Sequence, residues 1–246
     1  LQDEGERIIF VSPWLDRRFL MIGTTDVAQH GMPDKATCSP EEMDYLLAAY
    51  NRYFTHPCGP VTKSDIVHSW AGLRTLHGSM DESPSRLSRE VSLEAKAQGN
   101  GGLLTLVGGK LTTHRATAEQ ALERLHALGL DVGPAWTKGI PLYGGAFDRD
   151  ALLARADTGP DSIPPEIRRR WAFTYGDKIE DLYGRIETNP VLCQEVVPGV
   201  PRAELEYSAE VEDTQTGEDF LLRRTKLHLL LDEKAREDVE DWFAKF

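Results

Sequence analysis

LLTLVGGKLTTHR, residues Leu103–Arg115, is the stretch on which the fold of the first part of the chain depends. Its apolar beginning, Leu103–Val107, predicts a buried strand, and the adjacent Gly108 and Gly109 predict a turn. Apolar residues then recur at helical spacing until Gly129, which stands where a helix would end. The pattern therefore predicts a strand, a glycine turn and a helix in this order.

The turn between this strand and helix has the properties of an anion-binding site. The first N–H groups of a helix lack partners within the helix and carry partial positive charge. The two glycines let another molecule approach the backbone, Lys110 adds a full charge, and Thr112 and Thr113 can cap the helix or bind a ligand. An ordinary turn with a solvated lysine is the alternative interpretation.

Composition narrows the class of protein. The chain has 246 residues, 40% hydrophobic and 28% charged, which is typical of a globular protein with a real core. A net charge of −12 argues against a nucleic-acid partner and disfavours broad adhesion to anionic lipid.

Three scattered cysteines suit neither a disulfide framework nor a zinc site. We therefore expect that the protein binds no metal and that it is located in the reducing cytoplasm. No run of residues is long enough to span a bilayer. The chain starts with Leu1 rather than Met, and we expect it to be a fragment of a longer protein.

Local patterns predict further elements before the glycine turn. Two short apolar runs, Ile8–Val11 and Phe19–Ile22, predict a hairpin. Ser39, followed by proline and by Glu42, predicts a helix start with a capping box.

Alternation over Ile66–Leu76 predicts a strand that places Arg74 on one face with His68 and Trp70. After a polar loop, His77–Ser88, a returning strand is predicted at Arg89–Leu93. With Leu103–Val107 as the third strand, these segments would form a meander.

Three cations would then lie close together at one end of this sheet: Arg74, Arg89 and Lys110. Like charges close together are unfavourable unless an anion neutralises them, and arginine binds phosphate and carboxylate through two hydrogen bonds. The sequence therefore predicts a small phosphorylated or carboxylated ligand. From about Ala135 onward the patterns become helical, and the charge runs there are expected to be solvated faces or ion pairs.

The sequence resembles the C-terminal half of a known family, the FAD-dependent, quinone-linked glycerol-3-phosphate dehydrogenases. The matching motifs cover almost the whole chain in the family's order: Val11–Asp16, Ile22–Val27, Ser39–Tyr53, Ala71–Leu76, Ser88–Glu90, Gly108–Arg115 and Arg223–Leu227. Thr75 departs from the family, which usually has proline there, and this should loosen the turn after Arg74.

The resemblance implies an α+β fold. Residues 1–134 would form the C-terminal part of an FAD- and substrate-binding domain, with a mostly antiparallel sheet and flanking helices. Residues 135–246 would form a small all-helical C-terminal domain.

The resemblance also implies roles for individual residues. Arg74 matches the catalytic arginine beside the reactive edge of the flavin, which holds substrate and stabilises negative charge. Arg89 and Lys110 match basic residues of the same pocket, and Thr24 matches a pocket residue near the substrate. The turn against the pyrimidine end of the flavin corresponds to Gly109, Lys110, Leu111 and Thr112.

The implied function is oxidation of sn-glycerol 3-phosphate to dihydroxyacetone phosphate, with FAD as cofactor and quinone as electron acceptor. The family acts at the cytoplasmic face of the membrane as a peripheral protein, and a homodimer is compatible with it. An oxygen-using oxidase, an amine-oxidase-type flavoenzyme and a non-catalytic helical scaffold module stay open as alternatives. A phosphate ion on the three cations would favour the enzyme, and a separate carboxylate for each cation would favour the scaffold.

The chain contains no G-x-G-x-x-G between a strand and a helix, which is the motif that binds the dinucleotide. In the family this motif, the active-site histidine and one phosphate-binding arginine lie upstream. The chain is therefore expected to carry half a site and to bind FAD weakly or not at all.

Overall fold

The computed structural model describes residues 1, 7–15, 17–28, 32, 36–76, 87–99 and 101–246. Contacts divide the chain into two compact units, Leu1–Lys138 and Gly139–Phe246. The domain boundary predicted between residues 134 and 135 stays a prediction. The predicted loop His77–Ser88 lies outside the described residues except for its last two.

The first unit begins with the predicted hairpin and capped helix. Strand β1, Phe10–Trp14, pairs antiparallel with β2, Phe19–Gly23. Helix α1 spans Pro40–Tyr53, and its capping box is confirmed: Ser39 and Glu42 each bond the other's backbone N–H. Local turn and cap signals therefore located these elements correctly.

A second hairpin leads into the glycine turn. Strand β3, Ser92–Gln98, pairs with β4, Gly101–Val107, which contains the predicted strand. After the turn, one 3-10 turn at Leu111–Thr113 precedes helix α2, His114–Ala127. The expectation that this strand is buried is wrong, because β4 pairs only with β3 within the described part of the chain and leaves Leu103 and Leu106 exposed.

The predicted strand at Ile66–Leu76 is also wrong. Among the residues that the structure describes, this segment pairs with no strand, and Val67, Trp70 and Leu73 are exposed. Alternation marks a chain that can line two faces of a sheet, but a strand forms only where a neighbour accepts its backbone hydrogen bonds. The predicted meander is therefore replaced by a two-stranded sheet in which the returning strand begins at Ser92.

The glycine turn packs tightly against two other segments of the first unit. Gly108 has φ +76°, and a Cβ built on it would lie 3.1 Å from the carbonyl oxygen of Glu90 and 3.5 Å from that of Thr75. Gly109, with φ +92°, faces Val91 in the same way at 3.4 Å. The end of β4 is thereby brought next to the residues that follow Arg74 and Arg89.

The second unit is built from helices around a well-packed core. Its α-helices are α3 (Arg149–Asp157), α4 (Pro165–Tyr175), α5 (Ile179–Thr188), α6 (Arg202–Val211) and α7 (Glu233–Phe243). A π-helical segment occupies Asp219–Arg224, and a short hairpin, β5 (Glu195–Val197) with β6 (Val200–Pro201), interrupts the helical pattern. The core consists of two clusters of buried apolar residues: Trp171 and Tyr183 lie in one, and Phe220 lies in the other. With the first unit, this arrangement confirms the predicted α+β class with a helical C-terminal part.

An ion pair lies inside the second unit. Glu204 on α6 is fully buried and accepts two hydrogen bonds from Arg170 on α4, at 2.5 and 2.7 Å. Arg170 also donates to the carbonyl oxygen of Gly199, and the hydroxyl of Tyr175 donates to Glu204. Burial, together with the charge of Glu204, raises the pKa of Tyr175 far above its usual range, so Tyr175 stays a donor.

Removing the charge of Glu204 should destabilise the second unit. Glu204→Gln leaves the Arg170 guanidinium without its carboxylate, and breaking a buried pair in this way costs about 3–5 kcal/mol. Glu210→Gln on the same helix removes a half-exposed partner of Arg185 and should cost less than about 1 kcal/mol. The free energy of unfolding in urea checks both, and equal losses would contradict the assignment of Glu204 as the central charge.

Gly108 and Gly129 allow a matched test of the turn. Both have positive φ, but nothing lies within 4 Å of a Cβ at Gly129, whereas Gly108 meets the carbonyl oxygen of Glu90. Alanine at either position must adopt the left-handed backbone conformation, which costs about 1–2 kcal/mol. We expect Gly108→Ala to lower the free energy of unfolding by clearly more than Gly129→Ala, because only Gly108 is also crowded. Equal losses would show that the close approach is not a constraint.

A candidate anion-binding site in the first unit

Two arginines that are distant in sequence share one carboxylate oxygen. Arg89 donates from Nη2 to Oδ2 of Asp26 at 3.0 Å, and Nη1 of Arg74 lies 3.5 Å from the same oxygen. Both arginine side chains are half exposed, while that of Asp26 is 22% exposed. Arg74 and Arg89 therefore lie close together as predicted, but on a shared carboxylate and without the predicted strand pairing.

Lys110 enters the same region from the glycine turn. Its Nζ donates to Oε1 of Glu90 at 3.2 Å, and Glu90 directly follows Arg89. The three predicted cations thus face two carboxylates, Asp26 and Glu90. Two guanidinium groups with five N–H donors each keep most of their donors after bonding one oxygen. This arrangement can accept a further anion.

The residues predicted to contact the flavin lie on the surface of the turn. Gly109 presents a backbone without a side chain, and Leu111, directly after Lys110, is 87% exposed. Thr112 is exposed in the 3-10 turn. Thr113 does not cap the helix through its side chain, because its hydroxyl donates to the carbonyl oxygen of Lys110. An exposed apolar side chain next to a charged one suits the edge of a flat ring that carries polar atoms.

Asp26 and its support were missed from the sequence. Thr24 is exposed in the segment after β2, and the neighbouring Thr25 donates from its hydroxyl to Oε1 of Glu42 at 2.5 Å. Hydrogen bonds from the backbone of Ser39 and from Thr25 hold the pKa of Glu42 below its usual range, so this anchor is charged at neutral pH. In the sequence, Asp26 is visible as the acidic residue of Gly-Thr-Thr-Asp, but this pattern is equally typical of an ordinary turn.

Neither a membrane-spanning helix nor a metal-binding cluster occurs in the part of the chain that the structure describes. None of its helices has both the length and the apolar character to cross a membrane. No group of three or more metal-ligating side chains is found among these residues. An apolar groove of about 540 Å³ in the second unit is lined by residues such as Tyr143, Phe147 and Phe173, and it contains none of the predicted site residues.

Comparison with known families assigns both parts of the chain. Residues 1–115 match the family described as FAD dependent oxidoreductase. Residues 135–244 match the C-terminal domain of alpha-glycerophosphate oxidase.

Individual proteins show similarity along the whole chain. The aerobic glycerol-3-phosphate dehydrogenase of Escherichia coli is 36% identical over 249 residues, which cover 100% of this chain and 49% of that protein. D-erythritol 1-phosphate dehydrogenase of Brucella abortus is 31% identical over 99% of this chain and 48% of its own length. The structure of the glycerol-3-phosphate dehydrogenase from Bacillus halodurans complexed with FAD matches with a TM-score of 0.70 and 26% identity. This match covers 99% of the present chain and 48% of the Bacillus halodurans protein.

The chain therefore spans about half the length of the relatives it matches. Both family matches agree with the resemblance drawn from the motifs, and the glycine turn falls at the end of the first matched segment. The first part of the chain is therefore similar to the FAD dependent oxidoreductase family, and its second part is similar to the C-terminal domain of alpha-glycerophosphate oxidase.

Proposed function

We propose that this chain supplies about half of an FAD-dependent glycerol-3-phosphate dehydrogenase, namely the cationic substrate pocket and the turn at the flavin edge. The observation that carries the proposal is the pair Arg74 and Arg89 on one carboxylate oxygen, beside the Gly-Gly-Lys turn. The relatives named for glycerol 3-phosphate and D-erythritol 1-phosphate support a phosphorylated polyol as the substrate class.

Charge favours a phosphorylated substrate over a neutral one. Arg74, Arg89 and Lys110 carry three positive charges against the two negative charges of Asp26 and Glu90, so the cluster keeps an excess positive charge. A phosphate monoester supplies two negative charges and several acceptor oxygens. Two of these oxygens can accept hydrogen bonds from one guanidinium group at the same time. An amine substrate would be repelled by the same cluster.

Each residue has a distinct role in this proposal. Arg74 holds the substrate with its guanidinium next to the C2 oxygen, and stabilises the negative charge that develops there as the C2 hydrogen leaves as hydride. Arg89 and Lys110 bind the substrate's charge, and Thr24 borders the pocket. The proton of the C2 hydroxyl is taken by a base outside this chain, where the family's histidine lies.

The turn fits one edge of FAD rather than the whole cofactor. The exposed Leu111 suits the pyrimidine end, together with Gly109, Lys110 and Thr112. When bound, FAD would accept the hydride, and positive charge at Lys110 and the start of the helix would favour the anionic reduced ring. The sequence lacks the glycine motif for the dinucleotide, which is consistent with a second part supplying it.

Exposed apolar residues in the first unit support the view that it is completed by further protein. Phe10, Trp70, Leu103 and Leu106 are each about half exposed or more, which is unusual for large apolar side chains on a sheet and its neighbouring segment. We propose that they are covered in the complete enzyme.

The proposal also includes the electron acceptor, the location and the oligomeric state of the complete enzyme. The acceptor is quinone, with oxygen as the alternative. The enzyme acts as a homodimer and as a peripheral protein at the inner face of the membrane.

The isolated chain should lack flavin and activity. Purified at its mass of 27.5 kDa, it should show no flavin absorbance bands after incubation with FAD, and it should not reduce a dye with glycerol 3-phosphate. The reason is that the dinucleotide motif is absent. A yellow chain that reduces the dye would contradict the division of the site between two halves.

Arg74 can be tested in the complete enzyme. Arg74→Ala should lower kcat for glycerol 3-phosphate by about 100-fold or more, because it removes a charge that stabilises the transition state. Arg124→Ala, at an exposed position on α2, is the control and should leave kcat unchanged. If Arg74→Ala alters neither kcat nor KM while flavin content is retained, the proposed pocket is wrong.

A further inference from the structure

The carboxylate that Arg74 and Arg89 share has no role in the proposed chemistry. We infer that Asp26 is a positioning residue, which fixes the spacing and orientation of the two guanidinium groups for a substrate phosphate. This inference rests on the proposed function. It adds a residue that touches neither the substrate nor FAD and acts through the arginines.

The geometry leaves the arginines available while it holds them. One oxygen of Asp26, Oδ2, serves both Arg89 at 3.0 Å and Arg74 at 3.5 Å. Most of the ten N–H donors of the two guanidinium groups are therefore left for another acceptor. Asp26 is also less exposed than either arginine, so the two guanidinium groups are more accessible to a ligand than the carboxylate is.

Asp26 is itself held in place by the protein. The neighbouring Thr25 bonds Glu42, whose other oxygen accepts the N–H of Ser39 at 2.9 Å in the capping box of α1. The start of a fourteen-residue helix thus anchors the segment after β2. A carboxylate on a segment that its neighbour ties to a helix can define a position, which a flexible surface ion pair does not.

Two other roles for Asp26 predict different outcomes. Without Asp26, the two guanidinium groups would repel each other and separate, so phosphate binding should weaken. If Asp26 instead competes with phosphate for the arginines, its removal should strengthen binding. If it is an ordinary surface ion pair, its removal should change little.

The experiment is a double-mutant cycle in the complete enzyme, with Asp26→Asn and Arg89→Ala. Asp26→Asn keeps the shape of the side chain and should raise KM for glycerol 3-phosphate about fivefold or more, with a smaller change in kcat, because coupled contacts of this kind lie in that range. In the Arg89→Ala background the same change should raise KM by a clearly smaller factor, because one of the two arginines through which Asp26 acts is absent and no second guanidinium has to be held apart from Arg74. Asp44→Asn removes an exposed partner of Lys63 in the same unit and should leave both constants unchanged.

Two further variants keep the test decisive if Asp26→Asn folds poorly, as judged by flavin content and melting temperature. Asp26→Glu retains the charge and should bind substrate better than Asp26→Asn. Thr25→Val removes the anchor to Glu42 while leaving Asp26 in place, and should raise KM by an intermediate factor.

Three results would overturn the inference: a lowered KM in Asp26→Asn, an unchanged KM, or an equal increase with and without Arg89. Failure of the proposed function looks different. In that case Arg89→Ala alone would leave KM for glycerol 3-phosphate unchanged.

Discussion

The close approach of Gly108 to the carbonyl oxygens of Glu90 and Thr75 is the constraint on which the geometry of the first unit depends. A side chain at this point would meet backbone, and positive φ already excludes most residues. Because these two carbonyls directly follow Arg89 and Arg74, one contact brings the end of β4 to both arginines. Packing of a residue without a side chain therefore assembles a cluster of charged residues that lie far apart in sequence.

The assembled cluster is stable enough to form because carboxylates offset part of its charge. Asp26 lies between two guanidinium groups and Glu90 accompanies Lys110, so the cations are brought together without full neutralisation. Like charges at this distance would otherwise repel. The partial compensation is what separates a site prepared for an anion from a set of surface ion pairs, each with its own partner.

Sequence alone predicted those features whose signals are local. The hairpin of β1 and β2, the capping box at Ser39 and the strand–glycine–helix pattern each depend on neighbouring residues, and each was found. Ile66–Leu76 failed because pairing is non-local: alternation cannot reveal whether a neighbouring strand exists. Asp26 was missed for the same reason, because its partners lie far along the chain. The roles of Arg74, Arg89 and Lys110 came from residue type and family resemblance, and they stay predictions.

The two units use the same pair of groups, arginine and carboxylate, in opposite ways. In the second unit Glu204 is fully buried. Arg170 donates two hydrogen bonds to its carboxylate and a third to the carbonyl oxygen of Gly199. Three of the five N–H donors of Arg170 are therefore committed to the fold, and the carboxylate of Glu204 is out of reach of a ligand. In the first unit Asp26 gives one oxygen to two half-exposed arginines, which leaves most of their donors open. The number of donors that an ion pair leaves unused, rather than its presence, therefore indicates which of the two can bind a ligand.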